Sequence, residues 1–197
     1  PVPPRWPRGR RRLLLGLLLA AALTAGGVAA AVLYPRRAPP PTPPDATGGQ
    51  LDPAVASAVQ IIRARVLKDP YSPQAWGDLG EVFLANELEE EARFCFAEAE
   101  RLDPRDPHWP YYQGGILLNR GDREAAIAYF RRALERYPAD GDAAPAIHLH
   151  LAESLLVLGR TDEAETHIRA ALDRAPDDAH GHYDAALLAG ARQDLSL

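Results

Sequence analysis

Prolines stand at Pro70, Pro104, Pro138 and Pro176, separated by 34, 34 and 38 residues, and other side chains recur in step with them. Counted from Pro73 as position 1, Trp76, Leu79, Gly80 and Phe83 are followed by Ala92, Phe96, Ala99 and Pro104. Counted from Pro107, the same positions hold Pro110, Gln113, Gly114 and Leu117, then Ala126, Phe130, Ala133 and Pro138. From Pro145 they hold His148, Leu151, Ala152 and Leu155, then Ala164, Ile168, Ala171 and Pro176. Self-similarity at such a period restricts a chain to stacked repeats, because one short unit cannot bury its own apolar face and needs neighbours to do it. Composition selects the helical kind: only 7% of residues are aromatic, there are no β-rich runs, and Ala, Leu, Arg and Glu dominate. Gly80 is then an anomaly, since alanine is favoured by about 1 kcal/mol inside a helix.

The recurring set of Trp, Leu, Gly, an aromatic, Ala, Phe, Ala and Pro resembles the tetratricopeptide repeat, and the first copy carries it at all eight places, with Phe83 as the aromatic. The second copy departs at Pro110 and Gln113, with Trp109 and Tyr111 beside them, and the third follows an extended loop and has His148 in the place of Trp. The resemblance implies two antiparallel helices, A and B, per unit, stacked into a right-handed solenoid. Trp76, Gly80, Ala92, Phe96 and Ala99 are the expected packing residues of the first unit, with Gly80 facing Ala92 and Ala99. Gly114, Ala126, Phe130 and Ala133 serve the second unit, and Ala152, Ala164 and Ala171 the third. The units run over 73–106, 107–144 and 145–178. Residues 51–72 read as a capping helix with Ala58, Val59, Ile62, Val66 and Leu67 on one side, started by Asp52-Pro53. Residues 179–197 read as a partial fourth unit or cap, with an A helix over 179–190 and Leu187 and Leu188 exposed.

Ahead of the repeats, 22 residues between Arg12 and Pro35 carry no charge. As a helix they would extend about 33 Å, enough for a hydrocarbon core of about 30 Å. Five arginines precede the run and two follow it, which holds residues 1–12 in the cytoplasm as a basic tail and sends the body outward. Residues 13–34 are therefore expected to be a transmembrane signal-anchor in the inner membrane, with the repeats on the extracytoplasmic, periplasmic side. A cleaved signal peptide, which would release the body on that same side, is the alternative. Residues 35–50 are a linker, extended where rich in proline and flexible at Thr47-Gly48-Gly49.

The net charge of −5 conceals a division. The first 44 residues hold seven of the 22 basic residues and none of the 27 acids, so the body carries 15 basic residues against 27 acidic ones. Such a body is unsuited to nucleic acid, whose phosphates supply most of the affinity. The lone Cys95 sits in an apolar run and reads as a small buried hydrophobe. No nucleophile elbow, zinc-protease, phosphate-loop or haem-attachment motif occurs. His148 and His150 are two apart and so diverge on a helix, and His180 and His182 near Asp177 and Asp178 are a weak metal set at most. Glu87, Glu89, Glu90 and Glu91 open a B helix, where they complement its dipole. No catalytic residue, metal, cofactor or small-molecule substrate is assigned.

Function is therefore expected in the groove. In proteins of the resembled family the A helices line a concave face that holds peptides, and the corresponding positions here give Glu81, Leu84, Tyr111, Leu118, Asn119, Leu149, Glu153, Leu156 and Tyr183. The basic clamp for a terminal carboxylate is missing, with Gln74, Gly77, Asp78 and Glu81 in its place. An apolar stripe with acidic flanks suits an apolar partner segment that carries basic residues. The expected role is a membrane-anchored scaffold for protein partners. An anchor followed by such repeats also looks like the subunits of cytochrome c maturation machinery that hold apocytochrome segments. A third reading is the noncatalytic part of a larger enzyme.

Overall fold

The computed structural model describes residues 39–45, 52–138 and 144–194. Among them are eight α-helices and no strand: α1 (Pro53–Lys68), α2 (Pro73–Leu84), α3 (Glu89–Leu102), α4 (His108–Asn119), α5 (Arg123–Arg136), α6 (Ala144–Val157), α7 (Thr161–Leu172) and α8 (Ala179–Asp194). No described helix is long and apolar enough to cross a membrane. The expected tail and signal-anchor, and the linker apart from 39–45, lie outside the described residues.

Helix starts follow from capping chemistry. The side chains of Asp52, Ser72 and Asp122 accept from the backbone N–H groups of Ala54, Ala75 and Ala125, and Pro53 and Pro73 occupy first-turn positions whose N–H groups would have no helical partner. The same reasoning explains why Pro110 does not break α4: the helix begins at His108, so Pro110 falls in its first turn. Position 15 of each unit turns the chain from A helix to B helix with a positive φ. Gly121 (79°) and Gly159 (72°) serve in the second and third units, whereas the first uses Glu87 (61°).

Helices pair as α2 with α3, α4 with α5, and α6 with α7, and the stack is closed by α1 at one end and α8 at the other. The packing residues read from the repeat are all buried. The nearest neighbour of Gly80, however, is a ring rather than either alanine. A Cβ on Gly80 would lie 2.7 Å from a ring carbon of Phe96, and one on Gly114 would lie 2.8 Å from a ring carbon of Phe130. Where the third unit has the smaller Ile168, it carries Ala152. The aromatic edge at position 24 thus excludes even a methyl at position 8, which answers the anomaly of Gly80. Trp76 is fully buried and its indole N–H donates to the Pro70 carbonyl at 3.0 Å, tying the turn before its helix. Trp109 lies over Gly77 of the preceding unit, where a Cβ would collide with its ring.

The cap residues differ from expectation in part. Val59 and Val66, two turns apart, are buried, but Leu67 is 54% exposed because α1 packs against the stack along one narrow stripe. Part of the linker is tied to α1: Arg63 Nε donates to the Pro43 carbonyl at 3.3 Å, and Gln60 hydrogen-bonds Asp45. At the far end α8 runs to Asp194, and Leu188, expected to be exposed, packs with Ala152 and Ile168. Leu187 is exposed.

Gln113 sits where the repeat has Leu and is nonetheless buried. Its amide donates to Glu100 Oε2 at 2.8 Å, and Glu100 also receives Arg132 at 3.2 Å and Arg136 at 2.8 Å. Other arginines join neighbouring units at the surface. Arg120 reaches Glu89 and Glu90 at 2.6 Å, Arg131 reaches Glu163 at 2.6 Å, Arg160 reaches Glu124 at 3.3 Å, and Arg192 reaches Asp162 and Glu165 at 3.0 and 2.6 Å. The acidic opening of α3 therefore serves a seam between units as well as the helix dipole.

Candidate binding groove

The A helices α2, α4 and α6 together form a cleft of about 420 Å³, lined by Leu84 of α2, by Tyr111, Tyr112, Gly115, Ile116, Leu118 and Asn119 of α4, and by His150 of α6. Four residues assigned from sequence, Leu84, Tyr111, Leu118 and Asn119, meet here. The cleft exists because α4 has glycine at position 9, where a Cβ would find nothing within 4 Å. Its aromatic wall is held from behind. Tyr112 stacks on Phe96 with ring centroids 4.8 Å apart, and its hydroxyl donates to Glu81 Oε1 at 2.8 Å across the junction between units. Burial, reinforced by Glu81, pushes the Tyr112 phenol up to about 12. Tyr111 Oη lies 3.4 Å from His150 Nε2, and the His150 ring stacks on Phe130 at 5.2 Å. Burial lowers the pKa of His150, with Glu153 raising it less, so its imidazole is neutral at pH 7.

The remaining assigned residues are placed otherwise. Leu149 is only 4% exposed and packs beside Gly181 of α8. Leu156 is half-buried between the second and third apolar clusters. Leu156 acts as cement between units, whereas Leu149 also lines the second cleft described below. Glu153 lies 3.6 Å from Arg123, and Tyr183 is exposed near the end of the stack. The repeat register already places Gly115 at groove position 9, between Glu81 and Glu153, whereas Tyr112, Ile116 and His150 were not assigned from sequence.

A second cleft of about 370 Å³ continues on the other side of His150, lined by Pro145, Ala146, Leu149, Ala175, Asp178 and His180. The histidines do not converge on a common point. His180 lies 3.7 Å from the buried Asp184, while His182 Nε2 donates to the Pro176 carbonyl at 2.7 Å. Among the described residues no group of three or more His, Cys, Asp or Glu is placed to hold a metal ion. His148 and His167 form a pair with Nδ1 atoms 2.9 Å apart, and Arg174 lies 3.5 Å from His148 Nε2. Since a guanidinium only donates, His148 accepts at Nε2 and donates from Nδ1 to His167.

A family model described as tetratricopeptide repeat matches residues 90–141, 111–179 and 149–196, and a second model of the same description matches residues 73–106. Among solved structures, the MamA protein is similar with a TM-score of 0.63 and 16% identity, covering 71% of this chain and 74% of its own. YrrB, a TPR protein with an unusual peptide-binding site, gives a TM-score of 0.61 at 21% identity, covering 71% and 70%. A thermophilic TPR protein of Thermus thermophilus, TTC0263, is 27% identical with a TM-score of 0.54, covering 68% and 73%. The cytochrome c-type biogenesis protein CycH of Rhizobium meliloti (strain 1021) is 33% identical over 108 residues, which is 53% of this chain. The match spans only 27% of the length of that relative.

Proposed function

We infer that this chain, which belongs to the tetratricopeptide repeat family, is a scaffold that holds a segment of a partner protein in its concave groove. The observation that carries this reading is the open cleft over Gly115, built by side chains from three successive A helices and walled by leucine, isoleucine and tyrosine. A cleft of this shape and lining suits side chains of an extended or helical peptide. The apolar run at residues 13–34 supports attachment to the inner membrane with the repeats on the periplasmic side. The test is a photo-crosslinking residue at Leu118, with the exposed Ala128 of α5 as control, in native membranes. One dominant protein captured from Leu118 alone supports the scaffold. Equal capture from both positions removes the groove as the binding face.

The similarity to CycH favours a narrower second reading, in which the partner is an unfolded cytochrome c segment awaiting haem attachment. A peptide containing the C-x-x-C-H sequence, compared with a scrambled peptide of the same composition, tests it. Equal affinity for the two would leave only the general scaffold.

A further inference from the structure

A separate pocket of about 290 Å³ shares Tyr112 with the cleft over Gly115. Its walls are Gln74 and Glu81 of α2, Asp106 of the loop before α4, and His108, Trp109 and Tyr112 of α4. Resting on the peptide-binding reading above, we propose that this pocket is a subsite for a basic side chain of the partner, held by the Glu81 and Asp106 carboxylates. The cleft over Gly115 then takes an apolar side chain of the same short segment, with Tyr112 as the wall between the two.

Hydrogen-bond accounting selects the basic occupant, because donors of the pocket are already given to carboxylates beside them. The Tyr112 hydroxyl donates to Glu81 Oε1 at 2.8 Å. His108 gives Asp106 Oδ1 both its backbone N–H, at 2.9 Å, and its Nδ1–H, at 2.7 Å, and the Gln74 amide donates to Asp78 at 2.7 Å. Among the described residues nothing donates to the second oxygen of Glu81 or of Asp106, and no lysine or arginine lines the pocket. An occupant therefore meets acceptors and has to donate, and two carboxylates favour a charged donor over a neutral one. Tyr112 keeps its phenolic proton, so it orients Glu81 without cancelling the charge. Trp109 and Tyr112 bring aromatic rings to the same pocket, and such rings attract a cation. Stacking on Phe96 at 4.8 Å holds the Tyr112 ring in place beforehand.

Across Tyr112 the character reverses. Leu84, Ile116 and Leu118 line the cleft over Gly115 with no acid, lysine or arginine among the lining residues, and the His150 imidazole there is neutral. An apolar side chain can fill that cleft without burying an unpaired charge. Since one ring divides the two pockets, neighbouring residues of one segment can reach both. A partner segment without a basic residue would leave the Glu81 and Asp106 carboxylates without a counter-charge, and an acidic one would be repelled.

The experiment is selection of a random peptide phage library on the full chain held in detergent. The enriched peptides are then synthesised with each arginine replaced in turn by citrulline and each lysine by acetyl-lysine, which removes the charge and keeps the stem. The expected result is enrichment of a basic residue close to a large apolar one, with a Kd at least about tenfold weaker when that basic residue is neutralised. Glu81→Gln with Asp106→Asn keeps the acceptors that Tyr112 and His108 use and removes the charge, so this double variant should fold as the parent does and lose the discrimination. Glu81→Gln alone, at an exposed side chain, should already lose part of it. Replacing the apolar residue of the peptide by alanine should weaken binding to parent and double variant by the same factor. Enriched peptides without a basic residue, indifference to its neutralisation, or discrimination fully retained by the double variant would overturn the subsite while leaving the peptide groove standing. Failure of any peptide to enrich would overturn both.

Discussion

Gly80→Ala tests the packing rule at the heart of each unit. The added Cβ would stand 2.7 to 3.0 Å from three ring atoms of Phe96, whereas carbon atoms pack at about 3.5 to 4.0 Å, so the ring must retreat by about 1 Å. Forcing a methyl into a filled core costs about 1 to 3 kcal/mol, and the better helix propensity of alanine returns about 1 kcal/mol. The net change is a loss of about 0 to 2 kcal/mol. Gly115→Ala receives the same propensity gain with nothing in the way, and should stabilise by up to about 1 kcal/mol. Phe96→Ile alone leaves a cavity and removes the stacking on Tyr112, for a loss of about 2 to 3 kcal/mol. In the double variant the methyl enters the vacated space, as Ala152 does beside Ile168 in the third unit. The double variant should therefore be more stable than the sum of the singles predicts, by about 1 to 2 kcal/mol. Urea denaturation of the two glycine variants, Phe96→Ile and the double variant, compared at a common m-value, reads these differences. If Gly80→Ala raises the midpoint as much as Gly115→Ala, or if positions 80 and 96 prove additive, the close approach does not govern the choice of glycine.

Four further outcomes are expected. Burial, then His167, then Arg174 hold His148 down at about 4, and His167 is lowered as well. A histidine whose folded pKa lies below its unfolded value of about 6.5 contributes stability above that value and loses it as pH falls toward the folded one. Stability should thus drop by about 2 to 3 kcal/mol between pH 7 and pH 4 from this site, with a flatter profile for His148→Gln; parallel profiles would refute the assignment. Glu87→Gly, which relieves a left-handed backbone that the other two units give to glycine, should raise stability by up to about 1 kcal/mol in the same denaturation assay. Glu100→Ala strips the acceptor from Gln113 and Arg132 and the counter-charge from Arg136 and should cost about 2 kcal/mol, whereas Arg169→Ala at an exposed pair should change the midpoint by less than about 0.5 kcal/mol. Cys95 is fully buried with its thiol pushed up by burial, so alkylation under native conditions should wait on unfolding, and prompt labelling would contradict its place in the core.

The contacts inside each unit were legible because they repeat. A position that must be small in three successive copies stands out against a background where any one glycine or alanine is ordinary. What faces that position was not legible, since Phe96 and Ala99 both lie on the right side of α3 and only the crossing geometry distinguishes them. The groove was half legible for a related reason. The repeat register pointed to Leu84, Tyr111, Gly115, Leu118 and Asn119, and passed over Tyr112, Ile116 and His150, which stand outside the register positions and reach the cleft only through the way the helices cross. Leu156 was read as groove surface because its position turns inward in a single unit, but its burial depends on the next unit in the stack. Gln113 broke the motif without harm because Glu100, thirteen residues earlier, supplies the partner that a leucine would not need.

The arginine seams give the molecule a mechanical property. Those described above, together with Arg123 to Glu153 and Arg65 to Asp78, all bridge adjacent units. Exposed pairs of this kind contribute little to the free energy of unfolding, but each one ties a helix of one unit to a helix of the next. Physiological salt screens such charges over about 8 Å. The charges of each pair stand 2.6 to 3.6 Å apart, well inside that length, so the junctions between units keep their ties at physiological salt, while the pairing of helices inside each unit rests on the buried core.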